Sequence, residues 1–311
     1  MRAGPVLLCV GPDAGIARAI TEQAVALLAG RDVVVLCAWG PDPLPFALAL
    51  GELEWAPQPT HDVVVADGLQ IADDAAIAAC DALVDAGWTA TSRVVHDERA
   101  PSTVALEVAD EVGASLIVAG AHESPDAPEG FLGREARALA HHSTRPVLIV
   151  APDGPVPDAC APALLAFDGS AGARRAVGQA ARLLARRPAI VATAWVPCPV
   201  FATVADRGAS PGQASDYDPE PLDDRLRDAA RRTAHAAQET LASSGWTVTS
   251  TDVRTRRGVW RALTDLAELD DAAVVVAGTR GHLPVVPELI GSVAEGVLRH
   301  AERPVLLVQA R

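Results

Sequence analysis

Four small residues in the last third of the sequence are spaced in a way that could bind a phosphate. The segment GTRG covers 278–281, and nine residues separate Gly281 from a second pair, Gly291-Ser292. Glycine lets the backbone approach an anion closely and accepts positive φ angles. Amides at a helix start attract anionic oxygens, helped by the helix dipole. The spacing therefore favours a phosphate loop, with the Ser292 hydroxyl as a further donor.

The same residues also fit an ordinary connection between a strand and a helix. Gly278 and Gly281 would then be a capping and a turn glycine. Ser292 precedes Glu295 by three residues, which is the spacing of a capping box, so we predict Ser292 as an N-cap. Arg280 is a candidate phosphate ligand, or alternatively a solvent-facing arginine.

Charge and composition limit what else the chain could bind. The chain has 311 residues, a net charge of −14 and no lysine, so any phosphate must be met by amides, hydroxyls, arginine or a metal. Residues 1–155 carry 22 acidic and 8 basic side chains, whereas residues 156–311 carry 18 of each. The acidic balance predicts no nucleic acid and no membrane as partners.

Motifs for other chemistry do not occur. The sequence contains no C-x-x-C, HExxH or G-x-S-x-G pattern, and its five cysteines lie far apart. The apolar run at the N-terminus is too short for a signal peptide, and no stretch is long enough for a membrane span. We therefore expect a cytoplasmic protein, without catalytic residues and without a metal site.

The elements that must position these residues occur twice. Trp88 and Trp246 lie 158 residues apart in GWTATS and GWTVTS, and LIVAG ending at 120 recurs at the same offset as VVVAG ending at 278. Each copy reads as five apolar strands alternating with helices, which predicts a parallel sheet. Ligands of such sheets bind at the carboxyl ends of the strands, where the strand order reverses. The Pro- and Asp-rich segment 151–162 separates the copies as a linker.

The whole chain resembles a tandem universal stress protein. The G-x2-G-x9-G-S frame, AFDGS after the first strand, AWVP after the second and RPVLLV at the end carry this resemblance. It implies an α/β fold with two tandem Rossmann-like domains of the adenine nucleotide α-hydrolase type, at 1–152 and 161–311. Each domain is expected to hold a five-stranded parallel sheet with helices on both faces.

The resemblance also implies ATP as the ligand, and Mg²⁺ can accompany such a nucleotide. It assigns the phosphates to the glycine frame and Ser292, the adenosine portion to Asp168, and the adenine edge to the backbone of Val196. Asp168 could instead only stabilise its turn, and Trp195 stands where the family often has a histidine. The predicted binding residues are Ala166, Asp168, Val196, Ala277, Gly278, Arg280, Gly281, Gly291, Ser292 and Val293.

The first copy lacks the features of a nucleotide site. Glu123 replaces the middle glycine, Arg134 replaces the serine, and Gly11 takes the place of Asp168. Asp126 and Glu129 add further negative charge to the loop, which would repel a triphosphate. We predict that this half keeps the fold without binding ATP.

Two functions stay open at this point. The first is a cytoplasmic ATP-binding stress-response regulator with at most slow hydrolysis, in which the first half is structural. In this function, the fifth strands of the two halves would pair as an intrachain pseudo-dimer, with a homodimer as a further option. The second is a protein-interaction module whose nucleotide site is vestigial. An AMP-forming enzyme is disfavoured, because AFDGSAG does not supply a pyrophosphate loop of the SGGxDS type.

Overall fold

The computed structural model describes residues 4–40, 61–122, 132–197, 220–281 and 290–309, without the side chains of 61–67 and 220–221. The chain divides into two compact units. Unit 1 comprises Met1–Asp158 with Leu183–Ala185, and unit 2 comprises Ala159–Arg182 with Arg186–Arg311. None of the described helices combines the length and the apolarity needed to cross a membrane.

Unit 1 alternates strands and helices along its whole length. Its elements are β1 (Val6–Val10), α1 (Ala14–Leu27), β2 (Asp32–Trp39), α2 (His61–Asp85), β3 (Thr89–His96), α3 (Pro101–Glu111), β4 (Leu116–Gly120), α4 (Arg134–His142) and β5 (Val147–Val150). All described strand pairs are parallel, in the order β3-β2-β1-β4-β5. The order reverses between β1 and β4.

Unit 2 repeats this plan. Its elements are β6 (Ala163–Ala166), α5 (Ala171–Leu183), β7 (Ala189–Trp195), α6 (Glu220–Ser243), β8 (Val248–Arg254), α7 (Val259–Leu269), β9 (Val274–Gly278), α8 (Ser292–His300) and β10 (Val305–Val308). Its strands pair in parallel in the order β8-β7-β6-β9-β10. The predicted α/β class and tandem parallel sheets are confirmed.

The inner strands are apolar because helices cover both faces of each sheet. In unit 2, Leu164, Leu165, Val275 and Val276 are at most 1% exposed. The described part of unit 2 holds the five apolar strands alternating with helices that the sequence predicts for each copy. Ser170 caps the start of α5, since the amide of Ala173 donates to its Oγ at 3.1 Å.

The GWT repeat has a structural reason. Gly87 and Gly245 follow the long helices α2 and α6 with φ angles of 78° and 82°. The amide of each following tryptophan donates back to a carbonyl in the last turn, at Leu83 and Leu241 respectively. This left-handed helix ending favours glycine. The repeated glycine therefore turns the chain from the helix into the third strand of each sheet.

Candidate functional site

A cavity of about 270 Å³ opens at the carboxyl ends of β6 and β9 in unit 2. These two neighbouring strands are the ones between which the strand order reverses. Loops leaving them diverge to opposite faces of the sheet, which creates the crevice where nucleotides bind in doubly wound folds. The cavity thus lies where the sequence predicts the site.

Nine of the ten predicted residues line this cavity together. They are Ala166, Asp168, Ala277, Gly278, Arg280, Gly281, Gly291, Ser292 and Val293. The tenth, Val196, does not line it, and its side chain is 54% exposed just beyond the end of β7. The structure therefore brings the phosphate loop and the first-strand turn into one place and leaves Val196 outside it.

Two backbone hydrogen bonds shape the phosphate loop. The amide of Thr279 donates to Val308 at 2.9 Å, and the amide of Gly291 donates to the carbonyl of Thr279 at 2.8 Å. The second bond closes the loop and brings the start of α8 back beside the end of β9. Both strand end and helix start consequently face the cavity.

The glycines at 278 and 281 both lie close to neighbouring atoms, but of different kinds. A Cβ at Gly278 would lie 2.9 Å from the backbone of Gly172, so a side chain there would have to displace the first turn of α5. A Cβ at Gly281 would lie 2.7 Å from Oδ2 of Asp168, so a side chain there would have to shift that carboxylate.

Ser292 begins α8 but does not cap it, so the predicted capping box is wrong. Gly291 is the N-cap, with extended backbone angles and no side-chain cap bond, and its carbonyl accepts from Glu295 at 2.9 Å. Glu295 pairs with Arg299 at 2.8 Å instead of reaching back to the helix start. The hydroxyl of Ser292 is exposed at the cavity, and first-turn amides of a helix lack intrahelical acceptors.

Asp168 has a structural role in addition to its place at the cavity. Its Oδ1 accepts the amide of Ser170 at 2.9 Å, which fixes the turn between β6 and α5. Its Oδ2 faces Gly281 across the mouth of the cavity. The turn-stabilising alternative is thus realised, and the same carboxylate faces the phosphate loop.

The bulky Trp195 does not occupy the cavity. Neighbouring residues of a strand point to opposite faces, and Ala192 and Ala194 are the β7 residues that line the cavity. Trp195 is 6% exposed, and its Nε1 donates to Oδ2 of Asp252 at 2.9 Å. The ring therefore packs away from the cavity.

Sequence reasoning missed most of the apolar wall. The missed lining residues are Phe167, Ala173, Ala192, Ala194, Val259, Leu263, Thr279 and Ala294. Two signals could have found part of this set. Alternation along β7 places its even-numbered alanines on one face, and the four-residue spacing of Val259 and Leu263 places both on one side of α7.

The corresponding cavity of unit 1 measures only about 30 Å³. Three of its lining residues are larger than their counterparts in the repeat. Cys9 lies at the position equivalent to Ala166, Leu36 at that of Ala192, and Glu135 at that of Val293. The space that is open in unit 2 is thus filled by side chains in unit 1.

Glu135 contributes a charge to this filling. Its side chain is 16% exposed, and its Oε2 accepts the amide of Ser102 in the first turn of α3 at 2.8 Å. Arg134 donates to its Oε1 at 3.0 Å. Burial raises the pKa of Glu135, but the bonds from Ser102 and Arg134 outweigh burial and hold the pKa below its ordinary value. A largely buried carboxylate therefore lines the unit 1 cavity at the position that Val293 has in unit 2.

Other predicted differences in unit 1 have mixed outcomes. Glu123, Asp126 and Glu129 lie outside the described residues. Gly11 lines the small cavity at the position of Asp168, and Asp13 caps α1 by accepting the amide of Ile16 at 2.8 Å. Arg134 points outward, with 82% of its side chain exposed. In the described part of the chain, no cluster of His, Cys, Asp or Glu could hold a metal ion.

Comparison with known proteins agrees with this architecture. A structure of a universal stress protein from Archaeoglobus fulgidus DSM 4304 is similar over 97% of this chain and 96% of that chain, with 16% identity and a TM-score of 0.58. A putative universal stress protein from Pseudomonas aeruginosa UCBPP-PA14 is similar over 99% and 94%, with 17% identity and a TM-score of 0.52. At these identities the likeness concerns the fold.

The sequence itself matches a family twice. The profile of the universal stress protein family covers residues 4–151 and again residues 162–309. Together the two matches include nearly the whole chain, one in each half. The chain therefore belongs to the universal stress protein family, as a tandem member with two copies of the domain.

Proposed function

We propose that the chain is an ATP-binding regulatory protein of a cytoplasmic stress response, with the nucleotide in unit 2 and unit 1 as its structural partner. The observation that carries this proposal is the difference between the two equivalent cavities. The one in unit 2 is about 270 Å³ and framed by backbone, whereas the one in unit 1 is about 30 Å³ and holds a carboxylate.

The phosphates are assigned to the loop between β9 and α8. Gly281 exposes its backbone there, and Ser292 and Val293 present first-turn amides of α8. Anionic oxygens at a helix start gain about 0.3–1 kcal/mol per charge from the dipole, in addition to the hydrogen bonds. Arg280 supplies the positive charge that a lysine supplies in other phosphate loops, since the chain contains none.

The adenosine portion is assigned to the alanine-rich part of the cavity. Ala166, Ala192 and Ala277 leave room for a flat ring between small side chains. Asp168 stands at the mouth, where a ribose hydroxyl could donate to its carboxylate. We further propose that the backbone of Val196, just beyond the end of β7, reads the adenine edge.

The same lining supports binding rather than rapid turnover. Among the described lining residues Asp168 is the only carboxylate, and its Oδ1 already accepts the amide of Ser170. A general base needs an acceptor within hydrogen-bond reach of the attacking water. We therefore propose slow hydrolysis at most. Mg²⁺ would come with the nucleotide, since no described carboxylate cluster could hold it beforehand.

A ligand-free interaction module is the second candidate. One observation favours it, namely that Val196 lies outside the cavity lining and is 54% exposed. Native mass spectrometry of the purified chain and a thermal shift with ATP distinguish the two. Retained nucleotide or a clear shift supports the ATP-binding function, whereas neither effect supports the module. The pseudo-dimer through the fifth strands and a homodimer stay predictions.

Equilibrium binding of labelled ATP to Gly281→Glu tests the proposed function directly. The variant copies the residue of the first half, and even a Cβ at 281 would approach Asp168 Oδ2 to 2.7 Å. We expect binding to be lost. Leu269→Glu is the matched control, because it adds the same charge at an 81% exposed position at the far end of α7. Unchanged affinity of Gly281→Glu would refute the assignment.

A further inference from the structure

A second and larger cavity, of about 570 Å³, lies between α5 and α6 of unit 2. Arg174 and Val177 line it from α5, and Ala229, Arg232 and Ala236 line it from α6. We call these five residues the α5–α6 groove. Phe167 lines both this cavity and the nucleotide cavity, whereas none of the five groove residues lines the nucleotide cavity.

The α6 wall is built for close contact with another element. Ala229, Arg232 and Ala236 are spaced by three and four residues, so they lie on one face of the helix. Both alanines are exposed, and small residues on a helix face let another helix approach closely. The groove therefore has the shape of a helix-docking surface.

The two arginines of the groove differ from their neighbours in pairing. Arg227 and Arg231 on α6 form ion pairs with Asp224 and Asp252, at 3.3 and 2.7 Å. Among the described residues, Arg174 and Arg232 have no carboxylate partner, and both are exposed. An occupant of the groove would thus be favoured by negative charge placed beside an apolar centre.

Helix α2 of unit 1 carries a surface of that description. Ile77 and Val84 are 53% and 59% exposed and lie two turns apart on one face. Asp73 and Asp81 lie one turn before and one turn after Ile77. We call these four residues the α2 outer face. Exposed apolar side chains grouped on one helix and ringed by carboxylates are typical of an interaction surface.

We propose that the α5–α6 groove of one molecule binds the α2 outer face of a second copy of the same chain. Ile77 and Val84 pack against the exposed Ala229 and Ala236, next to the buried Val177. Asp73 and Asp81 pair with Arg174 and Arg232. Charge and apolar character thus match on the two sides of the contact.

Sedimentation velocity over a concentration series tests this proposal with charge reversals. Arg174→Asp with Arg232→Asp, and separately Asp73→Arg with Asp81→Arg, should each raise the dissociation constant of self-association about tenfold or more at low salt. Mixing the two variants should restore association, because each then offers the charge that the other lost. Ile77→Ser should weaken association without changing a charge.

The matched control is Arg175→Asp with Arg256→Asp. It makes the same charge change at exposed positions of unit 2 that do not line the groove, and it should leave association unchanged. Circular dichroism confirms that each variant is folded. A monomer at all concentrations, or an oligomer that both charge reversals leave intact, would overturn the proposal.

Discussion

The two units share a fold and a loop framework but differ in what fills the crevice between their first and fourth strands. In unit 1 the amide of Gly133 donates to Ala121 at 2.7 Å, just as Gly291 donates to Thr279 in unit 2. The strands, caps and helix-ending glycines also correspond. The crevice nevertheless measures about 30 Å³ in unit 1 and about 270 Å³ in unit 2.

This difference shows that side chains can fill a crevice of this kind while the described strand ends and helix starts around it keep their arrangement. In unit 1, Leu36 and Cys9 fill volume that Ala192 and Ala166 leave open in unit 2. Glu135 brings a carboxylate to the first turn of α3. The amide that Glu135 occupies belongs to the helix equivalent to α7, whose start lines the open cavity of unit 2. Glu135 thus acts as an internal anion in the closed crevice.

Transferring this carboxylate is expected to have the largest effect. In Val293→Glu, the new side chain should fill the cavity and place a negative charge where the phosphates or the base would lie. An uncompensated buried charge costs about 3 kcal/mol or more, so we expect ATP affinity to fall about 100-fold or more. Isothermal titration calorimetry of the wild type and the variant measures the dissociation constant of ATP.

The neutral variant Val293→Gln separates charge from volume. It should weaken ATP binding less than Val293→Glu does, since only the volume of the side chain remains. If Val293→Glu binds ATP as the wild type does, the nucleotide does not occupy this cavity.

Removing the charge of Glu135 should instead change stability. The carboxylate accepts a helix-start amide, so Glu135→Gln should lower the free energy of unfolding by about 1 kcal/mol at neutral pH. The pKa of Glu135 is lowered in the folded state, so its contribution is complete above the unfolded value of about 4.3. The contribution is lost as the pH falls through the folded pKa.

Urea unfolding of wild type and Glu135→Gln across a pH series checks this. The difference in free energy of unfolding between the two proteins should be largest at neutral pH and should vanish in acid. A difference that grows towards low pH would contradict the assigned direction. The variant should not gain ATP binding, because Leu36 and Cys9 still fill the crevice.

The smallest of these effects is expected at Ser292. Losing one hydroxyl donor to a phosphate costs about 1 kcal/mol, so Ser292→Ala should weaken ATP binding about fivefold. Its thermal midpoint without ATP should stay that of the wild type, since Gly291 and not Ser292 is the N-cap. A lower midpoint with unchanged affinity would mean that Ser292 serves the helix rather than the ligand.

Much of the fold could be predicted from the sequence because the repeat shows the same order of strands and helices twice. Continuous apolar runs such as 163–166 and 274–278 mark buried parallel strands, and a single offset of 158 residues aligns most of both copies. The loop glycines of unit 2 were also predictable from their spacing, and a Cβ at 278 or 281 would meet the backbone of Gly172 or the carboxylate of Asp168.

The remaining features depend on where backbone groups and side chains point, which residue types alone do not reveal. Ser292 looks like a cap by type and spacing, but the loop-closing bond at Gly291 starts the helix one residue earlier. Glu135 resembles any surface carboxylate in a helix until its position opposite the amide of Ser102 is known. Trp195 is a case where strand alternation would have given the correct face.

Hydrogen–deuterium exchange of the intact chain, with and without saturating ATP, tests the central claim most directly. The account predicts slower exchange at 278–281 and 291–296 in unit 2, with no change at the equivalent segments 120–122 and 133–138 in unit 1. Slower exchange in the unit 1 segments, with the unit 2 segments unaffected, would contradict it.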